Sequence, residues 1–294
     1  MNVHSISPLI RFLTVLLLVP TFVQADSSAW VELRVTPYGL FVESELSGVS
    51  GCAMLDPNVP FNFVNSKFIA QHEPSFLPSD LKVWPQDRLT RDRGERLDVF
   101  KHVPVEVFRF KTRLDQLLAF DLGSLETQLS LGPTFLESFV FQFDFPNSKT
   151  RAVTRSSLKL GKYTNIDSKK SRDSLSPVVA IVTEDDTVHW ALMDFVYSGG
   201  LLVDSEFAAH FHSLSTEASP LHLDIRFGPF ELERVPIEID QEGNRVGQPK
   251  VVNAINRNWR KRRYTMIVGR DVLKHFLVSV DFQRALVVLE VPDT

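Results

Sequence analysis

The tightest constraint on this chain is a fifteen-residue stretch that occurs twice. Leu131–Phe145 (LGPTFLESFVFQFDF) matches Val268–Phe282 (VGRDVLKHFLVSVDF). Gly132 and Gly269 stand 137 residues apart, and so do Asp144 and Asp281. Each copy reads as a strand ending at a glycine, a short helical turn, and then an alternating strand such as Phe139–Phe143. Three more blocks recur in the same order. Ala53-Met54-Leu55-Asp56 answers to Ala191-Leu192-Met193-Asp194, Phe63–Ala70 to Leu202–Ala209, and Val103–Val107 to Val235–Ile239. The shift stays between 132 and 139 residues. Such a long period is an internal duplication of a whole domain, since solenoid repeats are several times shorter.

Residues 1–25 read as a signal peptide. His4 and Arg11 precede the apolar run Phe12–Val19, and Val23-Gln24-Ala25 puts small residues where a signal peptidase cuts. The run is short for a bilayer span, which favours a cleaved leader over an uncleaved anchor. No later stretch is long and apolar enough for an integral membrane helix. The expected mature protein therefore starts at Asp26 and is exported, periplasmic or secreted. The duplication divides it into an N-terminal lobe (26–157), a Lys-, Ser- and Asp-rich linker (158–176) and a C-terminal lobe (177–294). With 44% hydrophobic residues and 23 Phe, each half has the material for its own core.

Cys52 is the single cysteine, so stability rests on packing and not on an intrachain disulfide. It reads as a small hydrophobe beside an apolar strand. The formal net charge of −4 gives no reason to expect nucleic acid. The basic run Arg257–Arg263 has no second basic segment beside it and reads as a solvated loop. Gln86–Glu95 reads as the tip of a long hairpin.

The secondary structure reads as mostly β. Val31–Val35, Leu40–Leu46, Val103–Phe110 and Leu221–Phe227 alternate as half-buried strands do. Helical patterns are confined to Ser66–His72, Ser205–His212 and the turns after Gly132 and Gly269.

One Asp follows a buried-looking run in each half: Asp56 after Ala53-Met54-Leu55, and Asp194 after Ala191-Leu192-Met193. A charge there is costly unless it is paired or sits at a site. A two-fold duplication would bring the two carboxylates together. A close pair cannot both ionise easily, so it supplies a base to activate water and an acid to protonate a carbonyl. That chemistry needs no cofactor, and no His/Cys/Asp cluster has metal-ligand spacing. Asp144 and Asp281, at the ends of the closing strands, read as turn or cap residues. His189 reads as a residue on a strand face.

These blocks, with Ile267–Leu273 and Ser130-Leu131-Gly132, resemble the aspartic peptidases, both retropepsin-like and pepsin-like. The resemblance covers roughly residues 29–292. It implies two similar acid-protease-like β-barrel lobes with a cleft between them, holding an extended peptide or protein as an added strand. It also implies Asp56 and Asp194 as the catalytic dyad, with Gly132 and Gly269 as structural glycines.

The chain departs from the family at the motif loops. Where the family has Asp-Thr/Ser-Gly, this chain has Asp56-Pro57-Asn58 and Asp194-Phe195-Val196. Pro57 lacks both a hydroxyl and an N–H, and Phe195 lacks the hydroxyl. Val196 is β-branched and resists a tight turn, so the loops are expected to hold the carboxylates poorly. Tyr197-Ser198-Gly199-Gly200 offers a turn a few residues later. The altered loops lean the reading towards weak or absent peptidase activity. Three functions stay open: an exported aspartic peptidase, a degenerate relative that binds a peptide without cutting it, and a structural envelope component.

Overall fold

A computed structural model of the chain describes residues 29–59, 61–72, 78–83, 97–158, 160, 164–171, 174–212, 222–241, 246 and 264–292. Residues 1–25, read above as a leader, and the stretches Gln86–Glu95 and Arg257–Arg263 lie outside them. Of the described residues 52% are strand and 10% helix, so the fold is mostly β.

The first half contains β1 (Val31–Glu32), β2 (Arg34–Thr36), β3 (Gly39–Leu46), β4 (Val49–Leu55), β5 (Phe63–Asn65) and helix α1 (Ser66–Gln71). It continues with β6 (Pro78–Val83), β7 (Leu97–Phe100), β8 (Val103–Val107), β9 (Phe110–Leu114), β10 (Leu117–Phe120) and β11 (Thr127–Leu131). Helix α2 (Pro133–Leu136), β12 (Val140–Asp144) and β13 (Lys149–Val153) close it. The second half runs β14 (Ser168–Lys170), β15 (Pro177–Thr183), β16 (Val188–Met193), β17 (Leu201–Val203) and α3 (Ser205–His212). Then come β18 (His222–Phe227), β19 (Phe230–Ile239), β20 (Met266–Val268), α4 (Arg270–Leu273), β21 (Leu277–Asp281) and β22 (Leu286–Glu290).

Period-2 patterning explains the strands with one wet face, such as β8, β9, β18 and β19. In β18, Leu223, Ile225 and Phe227 are buried while Asp224 and Arg226 face outward. Both longer helices start at a side-chain cap. The Asn65 carboxamide accepts from Lys67 N–H, and the Asp204 carboxylate from Phe207 N–H.

The strands form three sheets. The second-half sheet follows β15-β16-β20-β17-β19-β18 and closes through β15–β18 into a six-strand barrel. The first-half sheet follows β6-β7-β10-β5-β11-β4-β3-β8-β9 and remains an open half-barrel. Both contain one unit with the same pairing signs. In it β11 lies parallel to β4 and antiparallel to β5, as β20 lies parallel to β16 and antiparallel to β17. The third sheet, β1-β13-β12-β21-β22, joins the halves. At its centre Gln142 pairs with Ser279, its own counterpart in the repeat. Gln142 Nε2 donates to Ser279 Oγ at 2.8 Å.

Four sequence expectations change. Val31–Val35 is broken at the buried Leu33, whose N–H donates to Ser148 O. β1 therefore joins the central sheet while β2 joins the half-barrel. Val103–Phe110 is likewise two strands, because Phe108 and Arg109 take φ of 53° and 60° and turn the chain between β8 and β9. The match of Val103–Val107 to Val235–Ile239 fails. β8 pairs with β3 and β9, whereas the end of β19 runs parallel beside β17, the place that β10 takes beside β5. The stretch 158–176 is also more than a linker. It contributes β14 to the barrel sheet, and Leu160 packs with Val140, Val153 and Val288. Asn165 uses its carboxamide like a peptide group, bonding both Leu289 O (2.6 Å) and Leu289 N–H (3.0 Å) at the edge of β22.

The largest core cluster spans both halves. Phe141, Phe143, Phe195 and Phe282 meet there at ring-centroid separations of 5.1 to 6.2 Å, where tilted and edge-to-face aromatic contacts are favourable. Among the described residues no helix is long and apolar enough to cross a membrane.

Candidate carboxylate site

Each motif aspartate leaves a strand at the point where the inserted strand ends. Leu131 is level with Leu55, and Val268 with Met193. Asp56 N–H donates to Leu131 O and Asp194 N–H to Val268 O, both at 3.0 Å. The two aspartates are therefore anchored by the same bond to equivalent residues.

The glycines after those residues serve close approach. A Cβ on Gly132 would collide with the carbonyl oxygen of Phe61 and lie 2.9 Å from Val59 Cγ2. One on Gly269 would collide with Gly199 O and lie 2.5 Å from Tyr197 Cδ1. Gly132 N–H donates to the buried Asn62 carboxamide, and Gly269 N–H to Gly200 O. Replacing Gly269 with Ala is expected to destabilise the protein by about 1–3 kcal/mol, because backbone and not a flexible side chain must move. Urea unfolding of the variant beside the parent measures it.

The loops keep their N–H donors without the family's glycines. Asn58 N–H donates to Asp56 Oδ1 at 2.9 Å. Val196 N–H and Tyr197 N–H donate to Asp194 Oδ1 at 2.9 and 3.1 Å. None of Pro57, Asn58, Phe195 or Val196 has positive φ. The expected strain at Val196 is therefore absent: the turn is made with ordinary backbone, and a β-branched residue fits it. Asn58 is exposed, Val196 half-buried and Pro57 buried. Phe195 is 1% exposed, with its ring against Phe143, Phe145 and Phe282. The residue after Asp194 is thus committed to the core between the halves.

The charge of Asp194 acts on Asp56. Burial pushes the Asp56 carboxyl above its ordinary value of 3.8; the Asn58 N–H bond opposes this, and the charge of Asp194 adds to the rise. For stability the sign follows directly. The folded state holds the Asp56 proton more tightly than the unfolded chain does. This contribution is fully present below pH 3.8 and is lost as pH rises through the raised folded value. Asp56→Asn is therefore expected to raise the melting temperature at neutral pH and to leave it nearly unchanged near pH 3. Calorimetry at both pH values tests that.

The other candidates lie elsewhere. His189 pairs with Ile181 on β16 and sets its ring edge-on to Phe207 at 4.9 Å. It lies five residues before Asp194 along the strand, roughly 16 Å. Cys52 is half-buried and accepts from Arg34 Nη2 at 3.3 Å. Asp144 is a turn residue, accepting from Asn147 N–H. Asp281 caps its turn through Arg284 N–H and also takes a buried ion pair from Arg155, which sequence reasoning missed. No group of three or more His, Cys, Asp or Glu among the described residues is arranged to hold a metal ion.

Sequence reasoning also missed the segment before β15. Leu175 N–H donates to Pro57 O at 2.9 Å, so the end of the supposed linker lies against the Asp56 loop. Its signal was the β15–β16 hairpin register, which runs back towards Asp194. Compared with protein-family models and with curated proteins, the chain matches none.

Proposed function

We propose that the chain is an exported, aspartic-peptidase-like protein formed by duplication of one domain. In this reading Asp56 and Asp194 hydrolyse peptide bonds in an extended chain held in a cleft between two lobes. One observation carries it: both carboxylates occupy the same position in matching strand arrangements, with the same backbone anchor, and the charge of one acts on the other. The pairing of Gln142 with Ser279 supports the duplication, since a two-fold axis between β12 and β21 produces that register. Residues 1–25 would be removed on export.

The chemistry uses one shared proton. The ionised carboxylate takes a proton from water as the water oxygen attacks the scissile carbonyl carbon. The protonated partner gives its proton to the carbonyl oxygen. The tetrahedral diol then collapses: one hydroxyl returns its proton to the ionised carboxylate, the C–N bond breaks, and the leaving nitrogen takes a proton from the other, which restores one shared proton to the pair. No cofactor enters any step. The raised Asp56 carboxyl favours Asp56 as the protonated member at the start.

A second reading is peptide binding without cleavage. It is favoured by Pro57 and Phe195, which leave both loops without a hydroxyl. Incubating the protein with an unbiased peptide library from acidic to neutral pH, beside Asp56→Asn, separates the two. Cleavage that the variant loses supports hydrolysis. Retention of peptides without cleavage supports the binder.

A further inference from the structure

The segment before β15 carries two buried hydroxyls, Ser174 and Ser176. The β15–β16 ladder pairs Val178 with Leu192. Continuing that register by two residues brings Ser176 level with Asp194. Directly opposed residues of an antiparallel pair project from the same face, with Cβ atoms about 4.5–5.5 Å apart. Ser176 is 1% exposed, and its Oγ is buried with no hydrogen bond to protein atoms. Ser174 brings a second buried Oγ, also without a bond to protein atoms. Between them, Leu175 is tied to the Asp56 loop through Pro57 O. One short segment thus touches the loop of one aspartate and faces the other.

The opposite half has no such group. The β3–β4 register, continued one residue beyond Leu40–Leu55, sets Gly39 level with Asp56. The hydroxyl arrangement is therefore a property of the Asp194 side alone. A buried hydroxyl is normally satisfied, and a buried water normally has two to four polar partners. Ser176 Oγ has no such partner among the protein atoms, and the continued register sets it level with the Asp194 carboxylate.

We propose that Ser176 is a positioning residue of the carboxylate site, donating through one buried water to the Asp194 carboxylate and holding it in place. This rests on the Asp56–Asp194 reading and deepens it: Ser176 takes over the bracing that Pro57 and Phe195 cannot provide.

The test is a ¹³C-carboxyl NMR titration of the purified protein, which needs no peptidase activity. Ser176→Ala is expected to raise the Asp194 midpoint by roughly one pH unit, since a donor to the charged form is lost. Ser176→Thr is expected to restore it. An unchanged midpoint in a Ser176→Ala protein with the parent's melting temperature overturns the proposal. Should Ser176→Ala fail to fold, a high-resolution crystal structure of the unaltered protein decides. A water bonded to both Ser176 Oγ and Asp194 supports the proposal; Ser176 Oγ bonded instead to a protein carbonyl overturns it. A titration shift without any peptide cleavage would leave Ser176 in place and count only against hydrolysis.

Discussion

Asn in place of Asp56 is expected to lower acidic peptide cleavage by about 100-fold or more, the usual contribution of a positioned acid or base. Asn in place of Asp194 is expected to do the same. The double variant should lose little beyond either single one, because the pair works as a unit. Asn keeps the shape of the side chain and can still accept from Asn58 N–H, so the loss reports the missing proton chemistry and not a collapsed loop. The parent's rate should follow a bell in acidic pH, bounded by two apparent constants that belong to the pair. Stability moves in the other direction at neutral pH, since burial already makes the ionised Asp56 unfavourable. A variant that is better folded and inactive is the signature of a site that gives up stability for chemistry. Parallel losses of activity and stability would instead mark Asp56 as a structural residue.

Arg155→Ala is expected to destabilise the protein by about 3–5 kcal/mol, the range for removing one partner of a buried ion pair. Arg155 Nε and Nη2 reach Asp281 Oδ2 and Oδ1 at 2.9 and 3.0 Å. The same guanidinium donates to the carbonyls of Glu137 and Ser138. The Asp281 side chain is only 2% exposed, so it would be left charged and buried. Arg284 Nε, at 3.9 Å and mostly exposed, compensates weakly. The pair ties the end of β21 to the turn after α2 and so fastens one half to the other. Arg155→Lys should recover only part of the loss, because an ammonium cannot make the two-pronged contact. Urea denaturation of the three proteins measures this. A loss under 1 kcal/mol for Arg155→Ala would mean that Asp281 finds another partner.

The parts of the fold that were legible in the sequence are those with a local signature. Gly132 and Gly269 have no room for a Cβ, so the repeat keeps its glycine. Phe139, Phe141 and Phe143 alternate along one stretch, so it reads as a strand, although Val140–Phe143 is buried throughout. The short helices at Ser66 and Ser205 stand where their helical patterns placed them. Where the signal is not local, the reading fails. Val103–Val107 and Val235–Ile239 share the same alternating Val-Pro pattern, yet a period of two cannot say which ladder a strand joins. The β8–β9 turn was hidden because Phe108 and Arg109 adopt positive φ without a Gly or Asn to announce it. Arg155 meets Asp281 across 126 residues, a distance no motif spans. At the site, the aspartates were legible and their loops were not. Missing glycines suggested strain, but the N–H donors reach the carboxylates through ordinary backbone. Ser176 was missed because a polar stretch reads as a linker until the hairpin register, continued past Val178, brings it level with Asp194.

The coupling of the two carboxylates is tested most directly by following both through a ¹³C-carboxyl NMR titration in the parent and in Asp194→Asn. With the Asp194 charge removed, the Asp56 midpoint is expected to fall towards, but not reach, its ordinary value, because burial continues to hold it up. An Asp56 midpoint that does not move would show that the two carboxylates titrate independently, and would contradict a shared-proton pair.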